Sequence, residues 1–146
     1  MHTKNFEHVI PFHLVPTLVP ALQISYPLLE IILVSPDGRR TRLSLLFDTG
    51  ASVTTLKAEL FELLGLQRWD EGQPVEPGTG GGQITVYEYA ATIELYGKVI
   101  TCPVWLNNRF PPNPYFVGVL GRDTVFNEFG FGYWESTREL YVTENP

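Results

Sequence analysis

This sequence predicts an all-β fold built from many short strands, on three observations. Its apolar segments are short and tend to alternate with polar residues. The stretches between them are rich in turn formers, with 13 Gly and 12 Pro among 146 residues. The composition is 44% hydrophobic and 13% aromatic, which supports one well-filled core. A chain of this length hides roughly two-thirds of its unfolded surface, so neither disulfides nor metals are needed for stability.

Taken in order, residues 26–34 form a dense run of Leu, Ile and Val. Ser35-Pro36-Asp37-Gly38 has turn chemistry, and residues 42–47 resume the apolar pattern, so a β-hairpin is expected. Leu43 and Leu45 face away from Arg42 and Ser44, and the apolar end Leu45-Leu46-Phe47 predicts burial on both faces. Leu56, Leu60, Phe61 and Leu64 recur at helical spacing between a cap at Thr55 and a stop at Gly65. Residues 67–83 are polar and rich in Gly and Pro, which suits a functional loop. Strands follow at 84–89, 91–95 and 99–106, with a turn at Gly97-Lys98. Prolines break the chain at 107–114, and residues 116–120 return to the core. One or two helical turns are expected at 123–129, capped by Asp123 and closed by Gly130, then a last hairpin from 131–134 and 140–143.

Several functions are disfavoured at once. A net charge of -6 lacks the basic surplus that phosphate backbones require, so no nucleic-acid partner is expected. The apolar residues 9–22 are interrupted by Pro11, Pro16 and Pro20 and by His13, which suits neither an export signal nor a membrane span; a cytoplasmic protein without membrane contact is expected. The single cysteine, Cys102, sits in a core-like strand and reads as a buried, inert thiol. His2, His8 and His13 lack metal-ligand spacing, so no metal is expected. No nucleophile elbow accompanies them either. Trp69, Trp105 and Trp134 read as core or rim residues.

The residue that demands a reason is Asp48, placed directly after a buried strand, because a carboxylate withdrawn from water is costly unless neighbours compensate. Thr49-Gly50-Ala51-Ser52 supplies a tight turn with amides and hydroxyls that can donate to carboxylates. Downstream, the apolar pair Val119-Leu120 leads into Gly121-Arg122-Asp123 and the short helix. Between the two lies Gly78-Thr79-Gly80-Gly81-Gly82, whose glycines suit a lid that opens and closes. A phosphate-binding loop is the weaker reading, since no Gly-Lys-Ser/Thr follows.

Leu46-Phe47-Asp48-Thr49-Gly50-Ala51-Ser52 resembles the active-site signature of aspartic peptidases, and Val119-Leu120-Gly121-Arg122 resembles the C-terminal motif of the retropepsin family. The resemblance implies a closed acid-protease β-barrel with one or two short helices and a Gly-rich flap hairpin. It spans approximately residues 22–142 and suggests an extension at 1–21 ahead of a peptidase domain at 22–146. By the same resemblance Asp48, Thr49 and Gly50 are catalytic. Ala51, Ser52, Gly80, Gly81, Gly82 and Ile84 would bind a peptide or protein substrate. Leu120, Gly121 and Arg122 would support the site from beneath, Arg122 through an ion pair or bonds to carbonyls, and no cofactor is implied.

Aspartic peptidases need two carboxylates sharing one proton, one to activate water and one to protonate the carbonyl. The only other Asp-Thr pair, Asp123-Thr124, is followed by Val125 instead of glycine. The second aspartate must therefore come from another chain, which predicts a homodimer with equivalent residues near a two-fold axis. The implied activity is hydrolysis of internal peptide bonds. The alternative is a barrel of the same kind that serves for dimerisation or peptide binding with little or no cleavage.

Overall fold

The hairpin at Ser35-Pro36-Asp37-Gly38 forms as its residues dictate. Gly38 takes φ 89°, a left-handed conformation that glycine adopts without strain, and its N–H donates to the Ser35 carbonyl at 2.9 Å. The Asp37 carboxylate accepts the Arg39 amide at 3.0 Å and so closes the turn. The structure is a computed structural model, and it describes residues 5–19, 22, 24–79 and 82–146.

Its strands are β1 (His8–Pro11), β2 (His13–Val15), β3 (Ile24–Tyr26), β4 (Leu28–Val34), β5 (Arg40–Phe47), β6 (Thr54–Lys57), β7 (Gln73–Val75), β8 (Gly78–Thr79), β9 (Gly82–Gln83), β10 (Val86–Leu95), β11 (Lys98–Asn107), β12 (Gly118–Leu120), β13 (Phe129–Trp134) and β14 (Glu139–Glu144). A 3-10 helix, Ala58–Leu64, follows β6, and a short α-helix, α1 (Val125–Glu128), precedes β13. The strand order β11-β6-β12-β5-β4-β10 closes on itself through the β10–β11 pair, giving a mixed six-stranded barrel from which β7 extends. The all-β expectation and the closed barrel are both met.

Period-two alternation sets what fills the barrel. Leu29, Ile31 and Leu33 of β4, Leu43, Leu45 and Phe47 of β5, and Ile100, Cys102, Val104 and Leu106 of β11 all point inward and are buried. Each fully buried Leu or Ile contributes about 1.5–3 kcal/mol relative to exposure. Leu46 was expected to be buried with its neighbours; alternation turns it to the outer face, where it is half-buried.

Several local expectations are corrected. Leu56 belongs to a strand, because residues 54–57 slot between β11 on one side and β12 on the other. Pairing on both flanks outweighs the helical spacing, and the helix starts only at Ala58. Thr55 caps nothing; its hydroxyl donates to the Val53 carbonyl at 3.2 Å, while Gly65 does end the helix at φ 75°. The strand expected in two pieces at 84–95 is one, β10, and its turn is Tyr96-Gly97, both with positive φ as a two-residue hairpin turn requires. Asp123 does not cap α1: its carboxylate accepts the Thr124 hydroxyl, and Val125 N–H donates to the Asp123 carbonyl at 2.7 Å across Thr124 at φ 66°. That is a γ-turn of the strained, positive-φ kind. Gly130 lies within β13 and does not close the helix.

The N-terminal segment, whose position the sequence leaves open, packs on the barrel. β1 pairs antiparallel with β14, giving a second sheet of order β1-β14-β13, and β2 pairs with β3. Phe12 between them is buried, and His8 stacks on Tyr96 with ring centroids 3.7 Å apart. Among the described residues no helix is long and apolar enough to cross a membrane.

Cys102 is buried, and removal from water, with the Asp123 charge adding, pushes its thiol up to about 11. An unfolded cysteine ionises near about 8.5. The unfolded chain therefore binds fewer protons above that pH, and the thiol's contribution to stability, complete at neutral pH, declines as pH rises towards 11. Urea titrations should show a steeper loss of stability between neutral and alkaline pH for the parent chain than for Cys102→Ala. A thiol reagent should label the unfolded chain and leave the native one unmodified at pH near neutrality. Equal slopes, or rapid native labelling, would contradict the burial.

Candidate active site

The loop that carries Asp48 is built by threading one strand between two others. β5 ends at Phe47, the chain turns through residues 48–53, and β6 leads away; β12 lies between β5 and β6, parallel to the first and antiparallel to the second. This demands a close approach of backbones. A Cβ on Gly121 would stand 2.2 Å from the Val53 carbonyl carbon, and one on Gly118 would stand 2.3 Å from the Thr55 oxygen. Glycine is required here for space, not for its dihedral freedom.

From this buried floor the loop is pinned by hydrogen bonds. Gly121 N–H donates to the Thr54 hydroxyl at 3.0 Å, Arg122 N–H to the Ala51 carbonyl at 3.0 Å, and Asp123 N–H to the Ser52 carbonyl at 2.8 Å. Leu120 is fully buried beneath. Within the loop, Gly50 N–H donates to Asp48 Oδ1 at 2.8 Å, and a Cβ at Gly50 would crowd that oxygen at 3.2 Å. The carboxylate is thus half-buried and aimed by a backbone amide, with Thr49 and Gly50 exposed beside it. Phe47 braces the loop from behind, stacked on Phe126 at 5.6 Å and packed against Phe131 at 5.1 Å.

Arg122 departs from expectation. Among the described residues it makes no ion pair; its guanidinium is exposed and reaches the Ser52 hydroxyl at 3.5 Å, the outer limit of a hydrogen bond. The loop it faces, Ala51-Ser52-Val53, contains no acid.

Two concavities flank Asp48. One, of about 370 Å³, joins Ala51, Ser52 and Val53 of the loop to Ile84, Val86 and Trp105 of the barrel wall. Its roof is an antiparallel hairpin: β7 pairs with the start of β10, and between them β8 pairs with β9, so Thr79 faces Gly82. Pro77 and Gly78 of this hairpin line the cavity. Gly80 and Gly81 lie outside the described residues. The other concavity, of about 310 Å³, brings Pro27, Phe47 and Tyr133 to Asp48 and Thr49. Tyr133 donates its phenol proton to Glu135, a bond that raises its pKa above the usual tyrosine value, with partial burial and the Glu135 charge adding.

A larger cavity of about 740 Å³ lies elsewhere, between the N-terminal segment and the outside of β4 and β5. Its charges are already matched, Arg40 to Glu94 and Arg42 to Glu30, which leaves no acid poised for chemistry. Among the described residues no cluster of His, Cys, Asp and Glu is arranged to hold a metal.

Sequence reasoning did not assign Trp105 or Tyr133 to the site. Alternation predicted their strands but not which surface each strand would meet. The site offers the Asp48 carboxylate beside an apolar-walled cleft under a hairpin. It suits water attack on a peptide carbonyl, provided a second carboxyl group is supplied.

A family model described as aspartyl protease matches residues 34–124. Among solved structures, the EIAV protease complexed with the inhibitor HBY-793 is similar in fold, with a TM-score of 0.50 and 22% sequence identity, covering 74% of this chain and 88% of that one. No curated protein matches the chain in sequence.

Proposed function

The chain belongs to the aspartyl protease family and has the retropepsin-like fold, and from that premise we propose that it is an aspartic endopeptidase whose centre forms when two copies each contribute Asp48. The observation that carries the reading is a lone Asp-Thr-Gly held rigidly at the floor of a cleft, with no second carboxylate of that kind in the chain. One Asp48 of the pair, ionised, takes a proton from water as the oxygen attacks the carbonyl carbon. The other, protonated, donates to the carbonyl oxygen. Collapse of the resulting diol, with proton delivery to the nitrogen, breaks the C–N bond and restores the shared proton.

The hairpin of β7 to β10 acts as the flap, excluding water once a peptide lies beneath it. Ala51, Ser52, Gly80, Gly81, Gly82 and Ile84 are assigned to peptide contact, and Leu120, Gly121 and Arg122 to support of the loop. The walls of Val53, Val86 and Trp105 favour apolar side chains beside the cleaved bond. A cytoplasmic setting fits a chain whose one cysteine is buried and unpaired.

Because a shared centre exists only in the associated state, specific activity per chain should fall on dilution through the dimer dissociation constant. Hydrolysis of a fluorogenic peptide library, followed over a dilution series alongside sedimentation, tests this. Constant activity per chain in samples that sediment as monomer would remove the shared site.

A further inference from the structure

The cations of this chain are unevenly matched. Arg39, Arg40, Arg42, Arg68 and Lys98 are ion-paired, and Arg138 has an interaction of its own. Among the described lysines and arginines, that leaves Lys57, Arg109 and Arg122 with no acid at ion-pair distance. In a chain of net charge -6, where acids outnumber bases, such cations need a reason.

All three stand beside the wall of one cavity, the cleft under the hairpin that contains Ser52, Thr55 and Asn107. Arg122 reaches the Ser52 hydroxyl at 3.5 Å. Lys57 follows Thr55 by two positions on β6, so it shares that residue's face, and it stands opposite Asn107 in the β6–β11 register. Its Nζ finds only the Asn113 carbonyl, at 3.5 Å. Arg109 is exposed and tied to the same wall, since its backbone N–H donates to Asn107 Oδ1 at 2.8 Å. The described residues that line the cavity are uncharged. Glu88, behind Trp105, is already engaged: its Oε1 accepts the Trp105 indole N–H at 2.9 Å. The cleft is therefore apolar within and positive at its borders, and its own chain supplies no counter-charge.

We infer that this cleft selects peptides whose apolar residues at the cleaved bond are flanked by acidic side chains, received by Arg122 at one border and by Lys57 and Arg109 at the other. The inference rests on the endopeptidase reading above and names its substrate class. Lys57 lies three positions along β6 from Thr54, the residue that pins the loop floor. That is roughly 10 Å at strand rise, the span of about three residues of extended peptide, so the acids belong within about that distance of the cleaved bond. A guanidinium without a partner accepts a carboxylate through paired N–H groups and breaks no internal bridge in doing so.

The test is a set of peptides that share one apolar pair at the cleaved bond and carry Glu, Gln or Lys two or three residues away. The parent chain should cleave the Glu peptide about fivefold or more faster than the Lys peptide by kcat/KM, with Gln between. The advantage should shrink at about 1 M salt, where the screening length falls to about 3 Å. Combining Arg109→Glu with Arg122→Glu should invert the Glu-to-Lys ratio, a readout in which any general loss of activity cancels. Arg42→Glu, on the outer face of β5, should leave the ratio as it is. Equal rates for the three peptides, or a Glu preference that survives the double reversal, would overturn the inference. If the reversed chain fails to fold, Arg109→Gln with Arg122→Gln decides, and the ratio should fall towards one. A parent chain that cleaves none of the peptides would remove the endopeptidase reading. Fluorescence anisotropy of the same peptides then decides the inference separately: selective binding of the Glu peptide upholds the cationic border, and equal binding overturns it.

Discussion

Asp48→Asn should reduce peptide hydrolysis by about three to four orders of magnitude, the upper range of what a positioned acid–base group contributes. Asparagine keeps the size of aspartate and still offers an oxygen to the Gly50 amide, which bonds Asp48 Oδ1 at 2.8 Å, so the loop is retained. What is lost is the proton: an amide neither takes one from water nor gives one to a carbonyl. Because asparagine matches aspartate in size and keeps that loop bond, association should hold. The measurement is turnover of the peptide library with purified variant, paired with thermal unfolding and sedimentation. Undiminished turnover by a folded Asp48→Asn chain would sink the assignment. Loss of activity with loss of fold would not count for it.

Gly121→Ala should cost stability on the order of 3 kcal/mol or more, at the upper end of overpacking effects, because the added methyl has nowhere to go. Its Cβ would stand 2.2 Å from the Val53 carbonyl carbon and 2.5 Å from the Thr54 nitrogen. Both are backbone atoms, one at the end of the Asp48 loop and one at the start of β6, so no rotamer change relieves the contact. Either β12 withdraws from between β5 and β6, or the loop lifts and stretches the 3.0 Å bond from Arg122 N–H to Ala51. For a domain of this size the cost corresponds to a fall in melting temperature of roughly 10 °C. Calorimetry or circular dichroism reads it directly. A shift within a degree or two would mean that the strand is not threaded as described.

These two positions differ in how they were legible. Asp48 stood out in the sequence because a carboxylate follows the apolar pair Leu46-Phe47 and precedes a turn, a placement that costs energy without a purpose. Gly121 was legible as part of a motif, yet its physical reason, backbone against backbone at Val53, exists only once β12 lies between β5 and β6. Leu56 shows the opposite case. Its helical spacing with Leu60 and Leu64 is real, but residues 54–57 gain strand partners on both sides, and cross-strand pairing outweighs a local periodicity. Asp123 likewise has the chemistry of a cap, and the γ-turn at Thr124 redirects its carboxylate to the Thr124 hydroxyl.

By itself the sequence determined the all-β class, the first hairpin and the carboxylate loop, because these follow from alternation and turn chemistry. Only the tertiary structure decided the rest: that the barrel closes through β10 and β11, that Trp105 walls one side of the carboxylate loop and Tyr133 the other, and that the N-terminal strand β1 joins β14. The reason is physical. Local patterns state which face of a strand is apolar, and which surface that face meets depends on long-range pairing that the pattern does not encode.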